Sequence, residues 1–276
     1  MPFDGLRVLS LESRRSREIE RLIRAQGGEP FVAPSMREVP LENNPHAFAF
    51  AERLFRGEFE MMILLTGVGT RLLGQILETR WPGGAFADAL RKLTVVVRGP
   101  KPMAVMREWN VPVAIMVPEP NTWREVLAAI DGRAESRIAV QEYGRPSDEL
   151  IAGLRERGAD VTTIPVYQWD LPEDCGPLRT AVQKLASGEF DVILLTTSVQ
   201  VTHLLRIANE LHCEDAVRAA LGRMMVASVG PTTSETLVHL GLRADFEPTH
   251  PKMGFLVNEA AANAARILGA KRGTGA

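Results

Sequence analysis

Gly57-Glu58-Phe59-Glu60 recurs as Gly188-Glu189-Phe190-Asp191, and this internal echo constrains the fold more than any other feature of the chain. The offset is 131 (188 − 57). The same offset pairs Leu64 with Leu195, Thr66 with Thr197, Val68 with Val199, and Gly99-Pro100 with Gly230-Pro231. Upstream it pairs Ser16 with Ser147, Glu18 with Glu149, Arg24 with Arg155, Gly27 with Gly158 and Pro34 with Pro165. One register held across most of a half-chain without a gap marks two copies of one unit. A chain of 276 residues has room for two domains of ordinary size.

Each copy alternates short β-branched runs with helical patterns. Strand candidates lie over 6–10, 29–33, 60–65, 94–97 and 113–117 in the first copy, and over 137–141, 160–163, 191–195, 225–228 and 244–246 in the second. The helical stretches Ser16–Gln26 and Ser147–Arg157 each stop before a glycine suited to the C′ position, Gly27 and Gly158. Such alternation predicts an α/β fold: two similar doubly wound domains from an internal duplication, each a five-stranded parallel sheet covered by helices. Two proline-bounded extended segments, 33–40 and 164–172, fall at equivalent places, each after the second strand of its copy. If both are linkers, the chain crosses between domains twice. The simpler layout puts one copy in each domain. The pattern alone is compatible with both.

Composition narrows the function. A net charge of −2 gives no global basic field for nucleic acid. Two cysteines, Cys175 and Cys213, show no metal-type spacing and read as reduced thiols in a cytoplasmic protein. The five histidines show no ligand spacing, so no metal site is expected. Apolar runs all fall short of the ~20 residues that span a bilayer, and the N-terminus does not read as a signal peptide.

In open α/β sheets, ligands bind beyond the carboxyl ends of the strands, against helix N-termini. Five turns sit at such places. Thr66-Gly67-Val68-Gly69-Thr70 begins like a dinucleotide loop, but Leu72 stands where the third glycine belongs, so only Thr66 and Gly67 are kept, as hydroxyl and N–H donors to an anion. Its counterpart Thr196-Thr197-Ser198 offers hydroxyls at a helix start. Arg98-Gly99-Pro100-Lys101 and Gly230-Pro231-Thr232-Thr233 share one turn, with cations in the first and hydroxyls in the second. That difference suits two domains holding different parts of one ligand. The fifth place is Glu142-Tyr143-Gly144-Arg145, with Ser13-Arg14-Arg15-Ser16 as its counterpart. An arginine at a helix N-terminus opposes the macrodipole unless an anion sits there. Plain caps and solvated surface charges are the competing readings for each. The chain carries no Walker loop and no G-x-S-x-G elbow.

The run Val226–Leu237, containing Gly230-Pro231-Thr232-Thr233 and followed by Gly241-Leu242, resembles the signature of uroporphyrinogen-III synthases. Val166-Tyr167-Gln168 after Pro165 resembles the family's Val-Tyr linker motif, and Thr197-Ser198 its Thr-Ser turn. The likeness extends from Arg7 to Ala261. It implies two similar α/β domains joined by a two-stranded ladder made of the proline-rich crossings. Residues 1–35 and 172–276 would form the domain with both termini, and 36–171 the inserted one. It further implies closure of hydroxymethylbilane to uroporphyrinogen III with inversion of the terminal ring and loss of water, and without metal or organic cofactor. Tyr167 would be the proton donor, because a phenol with a pKa of about 10 is still protonated at neutral pH; Tyr143 competes for that role. The expected substrate-binding residues are Arg14, Thr66, Gly67, Arg98, Lys101, Tyr143, Gly144, Thr197, Ser198, Gly230, Thr232 and Thr233. The expected partner is the linear tetrapyrrole alone, with no nucleic acid and no membrane, bound by a monomer. The alternative is a non-catalytic sensor or regulator of an anionic ligand on the same scaffold.

Overall fold

The chain begins with β1 (Arg7–Ser10), α1 (Ser16–Ala25) and β2 (Glu29–Val32), then leaves through β3 (Arg37–Pro40). It continues through α2 (Pro45–Phe55), β4 (Met61–Leu64), α3 (Gly67–Glu78), α4 (Ala85–Leu90), β5 (Thr94–Val97), α5 (Pro100–Glu108), β6 (Ile115–Met116), α6 (Trp123–Ala129), β7 (Arg137–Gln141), α7 (Asp148–Glu156) and β8 (Asp160–Ile164). It returns through β9 (Tyr167–Asp170) and closes with α8 (Gly176–Ala186), β10 (Val192–Leu195), α9 (Ser198–Glu210), α10 (Glu214–Arg223), β11 (Met225–Ser228), α11 (Pro231–His239) and α12 (Met253–Gly273). This computed structural model describes residues 2–40, 44–142, 144 and 146–273. Two units result: residues 1–37 with 170–276, and residues 38–169.

The terminal unit holds a four-stranded sheet of order β11-β10-β1-β2, and the middle unit a five-stranded sheet of order β6-β5-β4-β7-β8. Every pairing in both is parallel, with registers such as Val8↔Val192 and Met61↔Ile138. The strands β3 and β9 pair as a separate two-stranded sheet. Parallel neighbours need crossover helices, which cover both faces and leave the strands apolar on both sides. Accordingly β4, β10 and β11 are buried at every residue. In the terminal unit Leu9, Ile193, Leu195 and Val226 pack with α8, α9 and α10, while Val8, Val192, Leu194 and Met225 pack with α1 and α12. Met62, Leu64, Val95 and Val97 meet α2, α3 and α5 in the middle unit, and Ile63, Val96, Ile138 and Val140 meet α6 and α7. Each such buried aliphatic side chain contributes about 1.5–3 kcal/mol.

Element bounds repeat at the sequence offset. The strands β4 and β10 (192 − 61 = 131), β5 and β11 (225 − 94 = 131), and the helices α2 and α8 (176 − 45 = 131) and α5 and α11 (231 − 100 = 131) start and stop together. Replacing each strand by its partner at this offset turns β11-β10-β1-β2 into β5-β4-β7-β8, the order found in the middle sheet. Gly27 and Gly158 both take left-handed backbone, φ 76° and 81°. Each closes its helix with a paired bond: Gly28 N–H reaches the Ile23 carbonyl at 3.0 Å, and Ala159 N–H the Leu154 carbonyl at 3.2 Å.

One expected strand is not formed. The segment 244–246 makes a single bridge, Phe246 to Ala227, and no strand. Asp245 explains this. Its N–H donates to the Val226 carbonyl at 2.8 Å while its carboxylate accepts the Val226 N–H at 2.8 Å. A side chain thus takes a place that a further ladder bond would hold, and Pro248 follows closely.

Candidate functional site

The carboxyl ends of each sheet gather the turns that the sequence singled out. In the middle unit Thr66 is the N-cap of α3, and its Oγ1 accepts the Gly69 N–H at 3.1 Å. Gly67 is required by packing, since a Cβ there would lie 2.8 Å from the Lys101 carbonyl oxygen. The starts of α3 and α5 therefore abut, which brings Thr66, Gly67 and Lys101 together, while Arg98 opens the turn after β5, its N–H donating to the Leu64 carbonyl at 3.0 Å. Gly99 has φ 108°, the region that favours glycine, and a Cβ on it would lie 3.0 Å from Asn121 Oδ1. Helix α5 begins without a side-chain cap.

The terminal unit repeats the arrangement. Helix α9 starts after Thr197 and α11 after Gly230, neither with a side-chain cap, and the two helices pack together. Ser198 and Thr233 are buried, while Thr197 and Thr232 are half-buried. Arg14 is exposed in the loop after β1, on the same edge.

Carboxylates occupy the two remaining helix starts. Glu12, largely buried, accepts the N–H groups of Arg14 at 2.9 Å and Arg15 at 3.0 Å, and also the hydroxyl of Thr196. At the start of α7, Glu142 accepts the Ser147 N–H at 3.3 Å. Burial pushes the Glu142 carboxyl above its ordinary value, Asp148 adds to the rise, and the Ser147 N–H opposes it. Ser147 Oγ is buried with no partner among the described residues. The chain itself thus supplies an anion to the start of α1, beside the arginines that sequence reasoning assigned to a ligand.

Gly144 carries φ 69°, and a Cβ there would lie 2.8 Å from Trp169 Cε2, with Nε1 and Cδ1 closer. Trp169 of β9 packs on this turn and on the apolar cluster of the middle unit. Tyr143 and Arg145 lie outside the described residues. Tyr167 opens β9, and its side chain likewise lies outside them. Sequence reasoning missed Trp169, Glu12, Glu142 and two buried glutamines, Gln141 and Gln200. It also missed His203, whose Nδ1 lies 2.7 Å from the Ser35 carbonyl; burial holds its pKa below the ordinary value. Among the described residues no three His, Cys, Asp or Glu side chains are grouped to hold a metal ion, and no helix is long and apolar enough to cross a membrane.

These features define a two-unit, doubly wound α/β protein whose helix starts and hydroxyls gather at the carboxyl edge of each sheet. Residues 17–258 match the uroporphyrinogen-III synthase HemD family, and the chain belongs to it. A Methanothermobacter thermautotrophicus protein, provisionally named a uroporphyrinogen-III synthase, is 30% identical over 234 residues, covering 83% of this chain and 87% of its own. The uncharacterised Bacillus subtilis protein YjjA is 28% identical over 263 residues, covering 93% and 95%. In fold, the chain is similar to a mutant uroporphyrinogen III synthase of Thermus thermophilus, with a TM-score of 0.70 at 22% identity, covering 96% of this chain and 99% of that one. The Helicobacter pylori uroporphyrinogen-III synthetase gives a TM-score of 0.52 at 14% identity, covering 92% and 98%.

Proposed function

We propose that this protein closes hydroxymethylbilane to uroporphyrinogen III in tetrapyrrole biosynthesis, as a cytoplasmic lyase. The observation that carries the reading is the family match over residues 17–258, taken with the hydroxyl- and cation-bearing turns at both sheet edges. The substrate bears acetate and propionate groups on every pyrrole. Helix starts, hydroxyls, Arg98 and Lys101 suit such carboxylates through charge-assisted hydrogen bonds and the helix dipole.

The chemistry asks little else of the protein. A proton reaches the hydroxymethyl oxygen, the C–O bond breaks and water leaves. The electrophilic methylene carbon is then attacked by a carbon of the terminal pyrrole. That carbon already bears the methylene bridge to the neighbouring pyrrole, so a spirocyclic intermediate forms. The old bridge bond then breaks, leaving an electrophilic methylene carbon on the neighbouring pyrrole. The free α-carbon of the turned terminal ring attacks it, and loss of the proton from that α-carbon restores aromaticity. Tyr167 is the proposed proton donor, with Tyr143 as the competing phenol. Folding the flexible bilane so that the substituted carbon attacks first supplies most of the selectivity.

Titration with the product, uroporphyrinogen III, tests the ligand class on which this reading depends. Uroporphyrinogen III is expected to bind with an affinity that falls as ionic strength rises, since screening weakens exposed charge pairs. Absence of binding at low salt would refute it.

A further inference from the structure

Each main sheet has one point where the strand order reverses, between β4 and β7 in the middle unit and between β10 and β1 in the terminal unit. At both points a fully buried glutamine amide captures a backbone N–H, and the two units supply it from opposite elements. In the middle unit it is Gln141, at the end of β7. Its Oε1 accepts the Thr66 N–H at 3.2 Å, and its Nε2 donates to the Glu142 carbonyl. The amide fills the space beside Gly69 on α3: a Cβ there would lie 2.7 Å from Gln141 Cδ, with Nε2 closer.

In the terminal unit the large and small residues trade places. The position equivalent to Gln141 is Ser10 (141 − 131 = 10), and the position equivalent to Gly69 is Gln200 (69 + 131 = 200). From α9, Gln200 Oε1 accepts the Thr196 N–H at 2.8 Å, and its Nε2 donates to Thr196 Oγ1 at 2.8 Å. Ser10 is buried and short. The captured N–H groups differ by one step, Thr66 itself in one unit and the residue before Thr197 in the other.

A buried amide must be satisfied to be tolerated, and an aliphatic side chain would fill the same volume without that requirement. The units share no glutamine position, yet both keep the amide and its bond to the turn. What is retained is the capture of the N–H. We propose that Gln141 and Gln200 are positioning residues, each fixing the strand–helix turn whose hydroxyl and N–H groups hold substrate carboxylates: Thr66-Gly67 in one unit, Thr197-Ser198 in the other. The identity of the ligand rests on the function proposed above; the capture itself does not.

The exchange can be rebuilt by mutation. Gln141→Ser with Gly69→Gln and Leu65→Thr carries the terminal unit's arrangement into the middle unit, the threonine standing in for Thr196 as partner of the amide (196 − 131 = 65). Two readouts are taken: hydrogen exchange at the 65–70 amides by NMR, and KM with kcat on freshly generated hydroxymethylbilane. Gln141→Ser alone is expected to speed exchange there and to raise KM, each by roughly tenfold, with a smaller change in kcat. The triple variant is expected to return both to within about threefold of the parent protein. A triple variant as impaired as Gln141→Ser overturns the proposal. Gln141→Leu, which keeps the volume and guards against simple misfolding, is expected to behave like Gln141→Ser, and parental exchange and KM in it would also overturn the proposal. If the parent protein makes no uroporphyrinogen III, the functional reading fails, and hydrogen exchange still decides this one.

Discussion

Gly144→Ala separates packing from ligand binding at a turn that sequence reasoning gave to the substrate. Gly144 has φ 69°, and alanine in left-handed backbone costs about 1–2 kcal/mol. The added methyl would sit 2.8 Å from Trp169 Cε2 and nearer still to Nε1, so the ring or the turn must move. Forcing an extra methyl into such a contact costs about 1–3 kcal/mol. Together the variant is expected to lose about 2–5 kcal/mol, which lowers the melting temperature of a unit this size by roughly 6–20 °C. Gly158→Ala is the control, with φ 81° and nothing within 4 Å of a Cβ, so it carries the backbone cost alone. Calorimetry should show the transition of the middle unit falling further in Gly144→Ala than in Gly158→Ala, with the other unit's transition unmoved. In a Trp169→Leu background the excess should vanish. Equal losses in the two glycine variants would mean that Trp169 does not rest on this turn.

Three further outcomes follow from named contacts. Burial lowers the His203 pKa in the folded protein, so its contribution is whole above the unfolded pKa of about 6.5 and is lost as pH falls through the lower folded value; between pH 7.5 and 5.5, denaturant midpoints should drop more in the parent protein than in His203→Gln, and equal drops would contradict this. Lys271 Nζ donates to Asp245 at 2.7 Å and to the Met224 carbonyl at 2.8 Å, so Lys271→Met should cost about 1.5–3 kcal/mol and lower the terminal unit's transition alone in calorimetry. Tyr167→Phe should reduce turnover by up to about 10²-fold, more than Tyr143→Phe does, with unchanged circular dichroism; full turnover would remove Tyr167 as the donor.

Much of this fold could be read along the chain. The runs at 94–97, 137–141 and 225–228 are strands to the residue, because short, largely apolar segments bounded by charge or turn residues are too short for a helix. The terminal unit's fifth strand failed because Asp245 binds Val226 through both backbone and side chain, a pairing invisible at a separation of 19 residues. The route between units was ambiguous for a related reason. Either layout leaves the local pattern unchanged, and only the pairing of β1 with β10 reveals that the chain leaves and returns. At the strand ends, Gly67 was noticed as a possible anion donor, while its need for space beside Lys101 was not. Gln141 and Gln200 escaped because they occupy non-equivalent positions in the repeat, so comparing the copies hides them. Glu12 and Glu142 escaped because nothing in the local pattern reveals their bonds to the N–H groups at the helix starts.

Turnover with ring inversion is measured directly by isomer analysis. Purified protein is mixed with hydroxymethylbilane generated in place, the products are oxidised, and the type I and type III porphyrins are separated by chromatography. The type III isomer is expected to dominate, at an initial rate proportional to protein concentration. Only the spontaneously formed type I isomer, at a rate independent of protein, would contradict the proposed function.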